Sequence, residues 1–195
     1  LDIRHLLLSC LLLATLSVPA LADDVTDQIN EAVTAYQRKD VTTAIAGLEA
    51  ALNLLRQGRA DAYGKLLPNP PPGWTADDVE AVAIGVMMAG GGTGATRKYH
   101  NGDNGDSTVT ISVLADSPML QAMSAIASSG IGAAAGMRTQ IVNGRRTLFM
   151  KDDNAFTTIV GDHILVRVEG QGVPEDALKR FLIAIDFTAL EKISR

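Results

Sequence analysis

The chain has 195 residues, a formal net charge of −5 and a single cysteine. A mildly acidic chain offers no electrostatic case for binding nucleic acid, whose phosphates call for a basic surface. One cysteine excludes intramolecular disulfides and cysteine-rich metal sites, and the length suits one domain plus a small helical appendage.

Leu1-Asp2-Ile3-Arg4-His5 precedes an apolar run from Leu6 to Leu16, followed by Ser17, Val18, Pro19 and the tripeptide Ala20-Leu21-Ala22. A basic residue, a short apolar stretch and a small-x-small end form the pattern of a cleavable export signal. The run is shorter than the roughly 20 residues that cross a bilayer. Cleavage is therefore expected after Ala22, making residues 1–22 a signal peptide and leaving 173 residues from Asp23 with no cysteine. Leu7-Leu8-Ser9-Cys10 has the outline of a lipoprotein box, but the apolar run continues past Cys10. That favours an ordinary signal residue over a lipid anchor. No later stretch reads as a membrane span, because Met119 to Met137 is rich in alanine, glycine and serine.

Residues 23–65 read as a helical hairpin. Val25, Ile29, Ala32, Val33 and Tyr36 form one stripe, Gln37-Arg38-Lys39-Asp40 breaks it, and Val41, Ala44, Ile45, Leu48, Ala51, Leu52 and Leu55 form the next. Asp40 is the expected N-cap of the second helix. Ala32, Tyr36, the break at Lys39-Asp40, Ala44, Leu48 and Ala51 resemble a single tetratricopeptide unit. A lone repeat cannot bury its own face. The hairpin is thus expected to pack on the neighbouring domain or on a second copy, with a peptide-binding repeat surface as the alternative. Leu66 to Trp74, with Pro68 and Pro70-Pro71-Pro72, reads as a stiff linker in residues 66–74. Trp74 is expected to plug the edge of the following core.

Residues 75–195 read as an α+β domain. Strand candidates are Val79–Val86, Thr93–His100, Ser107–Ala115, Arg138–Val142, Arg145–Lys151, Ala155–Val160 and His163–Val168. Asn143-Gly144 is a strong hairpin turn, and Gly161-Asp162 a further one. Ser117-Pro118 opens a mid-chain helix carrying Met119, Leu120, Met123 and Ile126, which decays into a small-residue stretch to Gly136. Pro174 opens a closing helix with core residues Leu178, Phe181, Leu182 and Ile185, which Phe187 and Leu190 extend. The fold class is α+β: an N-terminal helical hairpin, then an antiparallel sheet with helices on one face or one on each side.

Leu66-Leu67-Pro68, Pro71-Pro72-Gly73-Trp74, Gly90-Gly91-Gly92, Arg97-Lys98-Tyr99, Asp116-Ser117-Pro118-Met119 and Ile185-Asp186-Phe187 carry a resemblance of the whole chain to an uncharacterised family of proteobacterial exported proteins. The C-terminal part is similar to the PsbP-like α/β/α fold. The resemblance implies a periplasmic location and no particular activity.

No catalytic constellation emerges. No G-x-S-x-G, H-E-x-x-H or Walker pattern occurs. Gly90-Gly91-Gly92-Thr93-Gly94-Ala95 contains a G-x-G-x-x-A match, but Thr96 to His100 continues as a strand, so no helix N-terminus awaits a pyrophosphate. His163 beside Asp162 reads as structural, because neighbouring strand residues point to opposite faces, and His100 as a solvated loop residue near Asp103 and Asp106. Asp103-Asn104-Gly105-Asp106 and Asp152-Asp153-Asn154 lack the ligand spacing of a calcium loop. No catalytic, cofactor or metal site is assigned, and no cofactor is expected.

Two functional expectations follow. One is a non-catalytic interaction module of the periplasm, its partner another envelope protein or a second copy engaged through the hairpin, with no nucleic acid and no integral membrane segment. The other is an α/β domain that binds a small molecule or lipid, or is weakly catalytic, with a mobile lid at 119–137 over an apolar pocket near Trp74. The candidate contact residues are Trp74, Tyr36, Met123, Arg97, Arg145 and Arg146; the arginines are candidates because several sheet cations gathered at one end would suit an anionic partner.

Overall fold

The computed structural model describes residues 21–84, 92–102, 107–117, 120 and 137–193. Helices α1 (Leu21–Gln37) and α2 (Val41–Gly64) form an antiparallel hairpin. Lys39 adopts a left-handed φ of 64° to reverse the chain. Asp40 caps α2, its Oδ1 accepting from the Thr43 amide at 3.1 Å, which satisfies a donor that the first turn leaves open. That hydrogen bond also holds the Asp40 carboxyl below its usual pKa.

Among the described residues the sheet has eight strands: β1 (Trp74–Ala76), β2 (Glu80–Ile84), β3 (Gly92–Asn101), β4 (Thr108–Ala115), β5 (Met137–Val142), β6 (Arg145–Met150), β7 (Ala155–Val160) and β8 (Ile164–Gln171). Its order is β1-β3-β4-β8-β7-β6-β5, every pairing antiparallel, with β2 also on β3. β1 and β2 lie end to end along one edge, β1 on Tyr99–Asn101 and β2 on Gly92–Thr96. The sheet therefore begins at Trp74, inside the stretch whose prolines suggest a linker. β5 to β8 form a meander. Asn143-Gly144 links β5 to β6 as a two-residue turn with positive φ at both positions, the geometry that matches strand twist, and the three-residue loop Gly161-Asp162-His163 links β7 to β8 with positive φ at Gly161 and Asp162.

Period-two alternation decides which side of the sheet is core. Val109, Ile111, Val113 and Ala115 of β4 are buried and face Gly170, Val168, Val166 and Ile164 of β8 in register. Tyr99, Phe149, Phe156 and Val160 extend that apolar surface across the sheet. Helices α3 (Glu175–Ile183) and α4 (Phe187–Ile193) cover it, together with the last turn of α2. Among the described residues, the end of α2 and both C-terminal helices pack on this one face. Gly170 makes the close approach of α3 possible, since a Cβ there would lie 2.6 Å from the Leu178 side chain.

The closing helix is two helices. The Ala184 amide bonds back to the Arg180 carbonyl, and Asp186 Oδ1 then accepts from the Ala189 amide at 2.9 Å, starting α4 on a new axis. The expected mid-chain helix lies outside the described residues, apart from Leu120, which is buried. Among the described residues, no helix is long and apolar enough to cross a membrane.

Candidate functional site

The hairpin packs through its smallest residues. Ala32, Ala35, Ala44, Gly47 and Ala51 are buried between the helices. A Cβ at Gly47 would stand 3.0 Å from the Ala32 Cβ and 3.2 Å from the Gln28 carbonyl oxygen. Glycine is what lets the two backbones come this close. The large side chains sit one residue further along each helix, about 100° round the axis: Ile29, Val33 and Tyr36 on α1, and Ile45, Leu48, Leu52 and Leu55 on α2, with Val41 in line. Because both helices are right-handed and run in opposite directions, that step carries both stripes to the same side of the hairpin. The result is one apolar face built from two helices, its eight large side chains 40% to 70% exposed, Tyr36 most of all. The opposite side of the hairpin presents Asp27, Glu31, Thr34 and Asn53.

On α2 this stripe continues toward the sheet. Ala60, Tyr63 and Gly64, further along the same helix, are buried, and Tyr63 belongs to the core cluster with Leu67. The C-terminal end of α2 is therefore anchored in the domain, while its N-terminal two-thirds and all of α1 project with the apolar face uncovered by other described residues. Where overhang and sheet meet, Leu52, Leu55, Arg56, Arg59, Gly92, Thr93 and Asp116 line a cleft of about 280 Å³. Two of these lining residues, Arg59 and Asp116, form an ion pair. Burial raises the pKa of the Tyr63 hydroxyl, and the nearby Arg59 guanidinium opposes the shift.

The other candidate contacts are dispersed. Trp74 is half-buried at the β1 edge, its ring 4.9 Å from Phe181 in an edge-on arrangement, so it plugs the core edge. Tyr99 lies 5.0 Å from the same ring. Its hydroxyl donates to the Pro68 carbonyl at 2.7 Å, and burial pushes its pKa up to about 12. Arg97 donates to the carbonyls of Asp77 and Pro68. Arg145 pairs with Glu191 at 2.9 Å and lies over the Phe187 ring. Arg146 is exposed on β6, and Met123 lies outside the described residues. The basic residues therefore do not gather at one end. Arg97 is on β3, four strand spacings from β6, and Arg138, Arg145 and Arg167 each meet a carboxylate. One such carboxylate, Glu175, is held down at about 2, first by the Gln140 hydrogen bond, which burial opposes, and then by Lys179 and Arg138.

The two histidines among the described residues, His100 and His163, are far apart. His100 lies in β3 and not in a loop; its Nε2 is 2.9 Å from Asp77 Oδ2. It is level with Thr108 at one end of β4, whereas His163 is level with the other end, where the Asp116 amide bonds to its carbonyl. Seven residues of strand separate them, roughly 23 Å, so they cannot share a metal. No group of three or more metal-ligating side chains occurs among the described residues. Asp103-Asn104-Gly105-Asp106, Gly90 and Gly91 lie outside those residues. Gly92 opens β3, so no helix follows the glycine run.

Sequence periodicity finds the large apolar stripe but not which way it faces. The signal that decides this is present in the chain: Ala32 and Ala35 opposite Ala44, Gly47 and Ala51 form a second, small-residue stripe at helical spacing. Close packing selects that stripe for the interior of the hairpin. No protein-family model matches the chain, and neither the curated proteins nor the solved structures hold a significant match to it.

Proposed function

We propose that this protein is a non-catalytic interaction module that works in the periplasm after export, and that the outer face of the helical hairpin is its contact surface. The observation that carries the reading is the apolar face itself. Eight large aliphatic and aromatic side chains, contiguous on two helices, stand exposed beside a fully formed core. Monomeric proteins rarely leave a patch of this size bare, and such patches mark interaction sites. The N-terminal signal pattern supports the location. The antiparallel sheet closed by C-terminal helices supports the proposed kinship with the PsbP-like fold and the exported family.

The test is a cross-linking pull-down from envelope extract with wild-type and Leu48→Glu baits. Point variants serve better than removal of residues 23–65, because that deletion would also take Tyr63 out of the core. We expect Leu48→Glu to keep the wild-type circular dichroism and lose the captured species. Identical capture by both baits would sink the reading.

The second reading, a ligand-binding domain, draws support from the cleft at Arg56, Arg59 and Asp116; the segment expected to form a lid, 119–137, lies outside the described residues apart from Leu120 and Met137.

A further inference from the structure

We infer that the cleft between α2 and the sheet is a binding site for a small organic monocarboxylate, its charged end on Arg56 and Thr93 and its apolar body against Leu52 and Leu55. This rests on the reading of the protein as a ligand-binding domain and names the class of ligand.

The cleft has one helical wall and one sheet wall. Leu55, Arg56 and Arg59 follow Leu52 by three, four and seven residues, so all four stand on one face of α2, and all four line the cleft. The sheet wall is the start of β3 and the end of β4. Thr93 pairs with Ala115 in register, and paired residues share a face of the sheet. Ala115 is fully buried in the core cluster that also takes in Tyr63 of α2. The Thr93 side chain therefore points to the side on which α2 packs.

Two features of these walls point to a ligand. Thr93 is only 2% exposed and lines the cleft, and its hydroxyl makes no hydrogen bond among the described residues. A buried hydroxyl without a partner is unfavourable and rare, and a bound oxygen would satisfy it. Arg56 is half-buried and forms no ion pair among the described residues, whereas Arg59 is held by Asp116. Two cations and one carboxylate line the cleft, which leaves one positive charge unmatched, that of Arg56.

The same features choose the ligand. A guanidinium meets a carboxylate through two parallel hydrogen bonds. One negative charge suits the one unmatched cation, and Asp116 in the same cleft repels a second. Leu52 and Leu55 offer an apolar wall for the rest of the molecule. The cleft holds about 280 Å³, at the lower edge of the roughly 300–1,000 Å³ of small-molecule sites, so the body must be short.

Two-dimensional NMR of the full chain tests this with hexanoate, hexanol, hexylamine and hexyl phosphate as probes. Hexanoate should shift the Thr93 amide and the Leu52 and Leu55 methyl signals saturably, and hexanol, the same body without the charge, should bind roughly tenfold more weakly. Arg56 has no ion pair to lose, so Arg56→Gln should keep the wild-type spectrum away from the cleft and bind hexanoate roughly tenfold more weakly. Asn tolerates the left-handed φ of 57° at position 116. Asp116→Asn frees Arg59 and should turn the preference toward hexyl phosphate. Equal binding of hexanoate and hexanol, wild-type affinity for hexanoate in Arg56→Gln, or an unchanged preference in Asp116→Asn overturns the carboxylate site. Tighter binding of any other probe to the wild-type cleft also overturns it but leaves the ligand-binding reading intact. No shift at the cleft with any of the probes overturns both.

Discussion

The hairpin and the sheet domain solve the packing problem in opposite ways. In the sheet domain the large side chains go inside: Phe156, Ile111, Leu178 and Leu190 are fully buried, and threonines and serines alternate outward along β4. In the hairpin the small side chains go inside and Leu48, Leu52, Leu55 and Tyr36 stay out. Helix α2 takes part in both, with Tyr63 at one end in the core and Val41 at the other exposed. A helix pair closed by alanine and glycine gains little from burial, because those residues remove little apolar surface from water. What it gains is a close backbone approach and a second apolar face free for another purpose. The comparison separates large residues that hold the fold from large residues left exposed.

The largest effect should come from the sheet core. Phe156 is fully buried and stacks 4.7 Å from Phe149. Phe156→Ala should cost about 3–5 kcal/mol in urea unfolding, and a cost under ~1 kcal/mol would mean that the core lies elsewhere. Next, Gly47→Val should force the hairpin apart, at about 2 kcal/mol for overpacking, visible as lost helical signal; a neutral result would break the small-residue account of the hairpin.

Third, Tyr99→Phe should cost about 1 kcal/mol for the hydrogen bond to Pro68 and change the alkaline limit. The folded-state pKa is raised to about 12 from a model value of 10.0. Its stabilising effect is therefore complete below pH 10 and lost as pH rises through about 12. The Phe variant should unfold with a flatter pH dependence across that window. Glu175 works at the acid end with the opposite sign. Its pKa is depressed from 4.5 to about 2, so its contribution is present above pH 4.5 and fades as pH falls toward 2. Glu175→Gln should flatten that limb in acid titrations followed by Trp74 fluorescence, and an unchanged limb would remove Glu175 from the account. The smallest effect should be Leu48→Ser, within about 0.5 kcal/mol at a concentration where the chain is monomeric. A loss as large as that of a core residue would mean that Leu48 is buried within its own chain and not held for contact.

Local chemistry determined much of this from the sequence alone. Asp40 capping, the Asn143-Gly144 and Gly161-Asp162 turns, the alternation of β4 and the apolar positions of α3 are set by interactions within a few residues, which is why they are legible there. The break at Ala184 to Asp186 and the short strand at Trp74 are not, since both depend on packing partners distant in sequence. Tertiary structure alone decided three further things. It joined β4 to β8, leaving β5 at the far edge. It scattered Arg97, Arg145 and Arg146 that sequence allowed to gather. It also turned the hairpin's large stripe outward. Periodicity specifies that a helix has an apolar face, but a helix with two such stripes offers two choices. The closer approach allowed by Gly47 and its alanine neighbours settled which one the fold would bury.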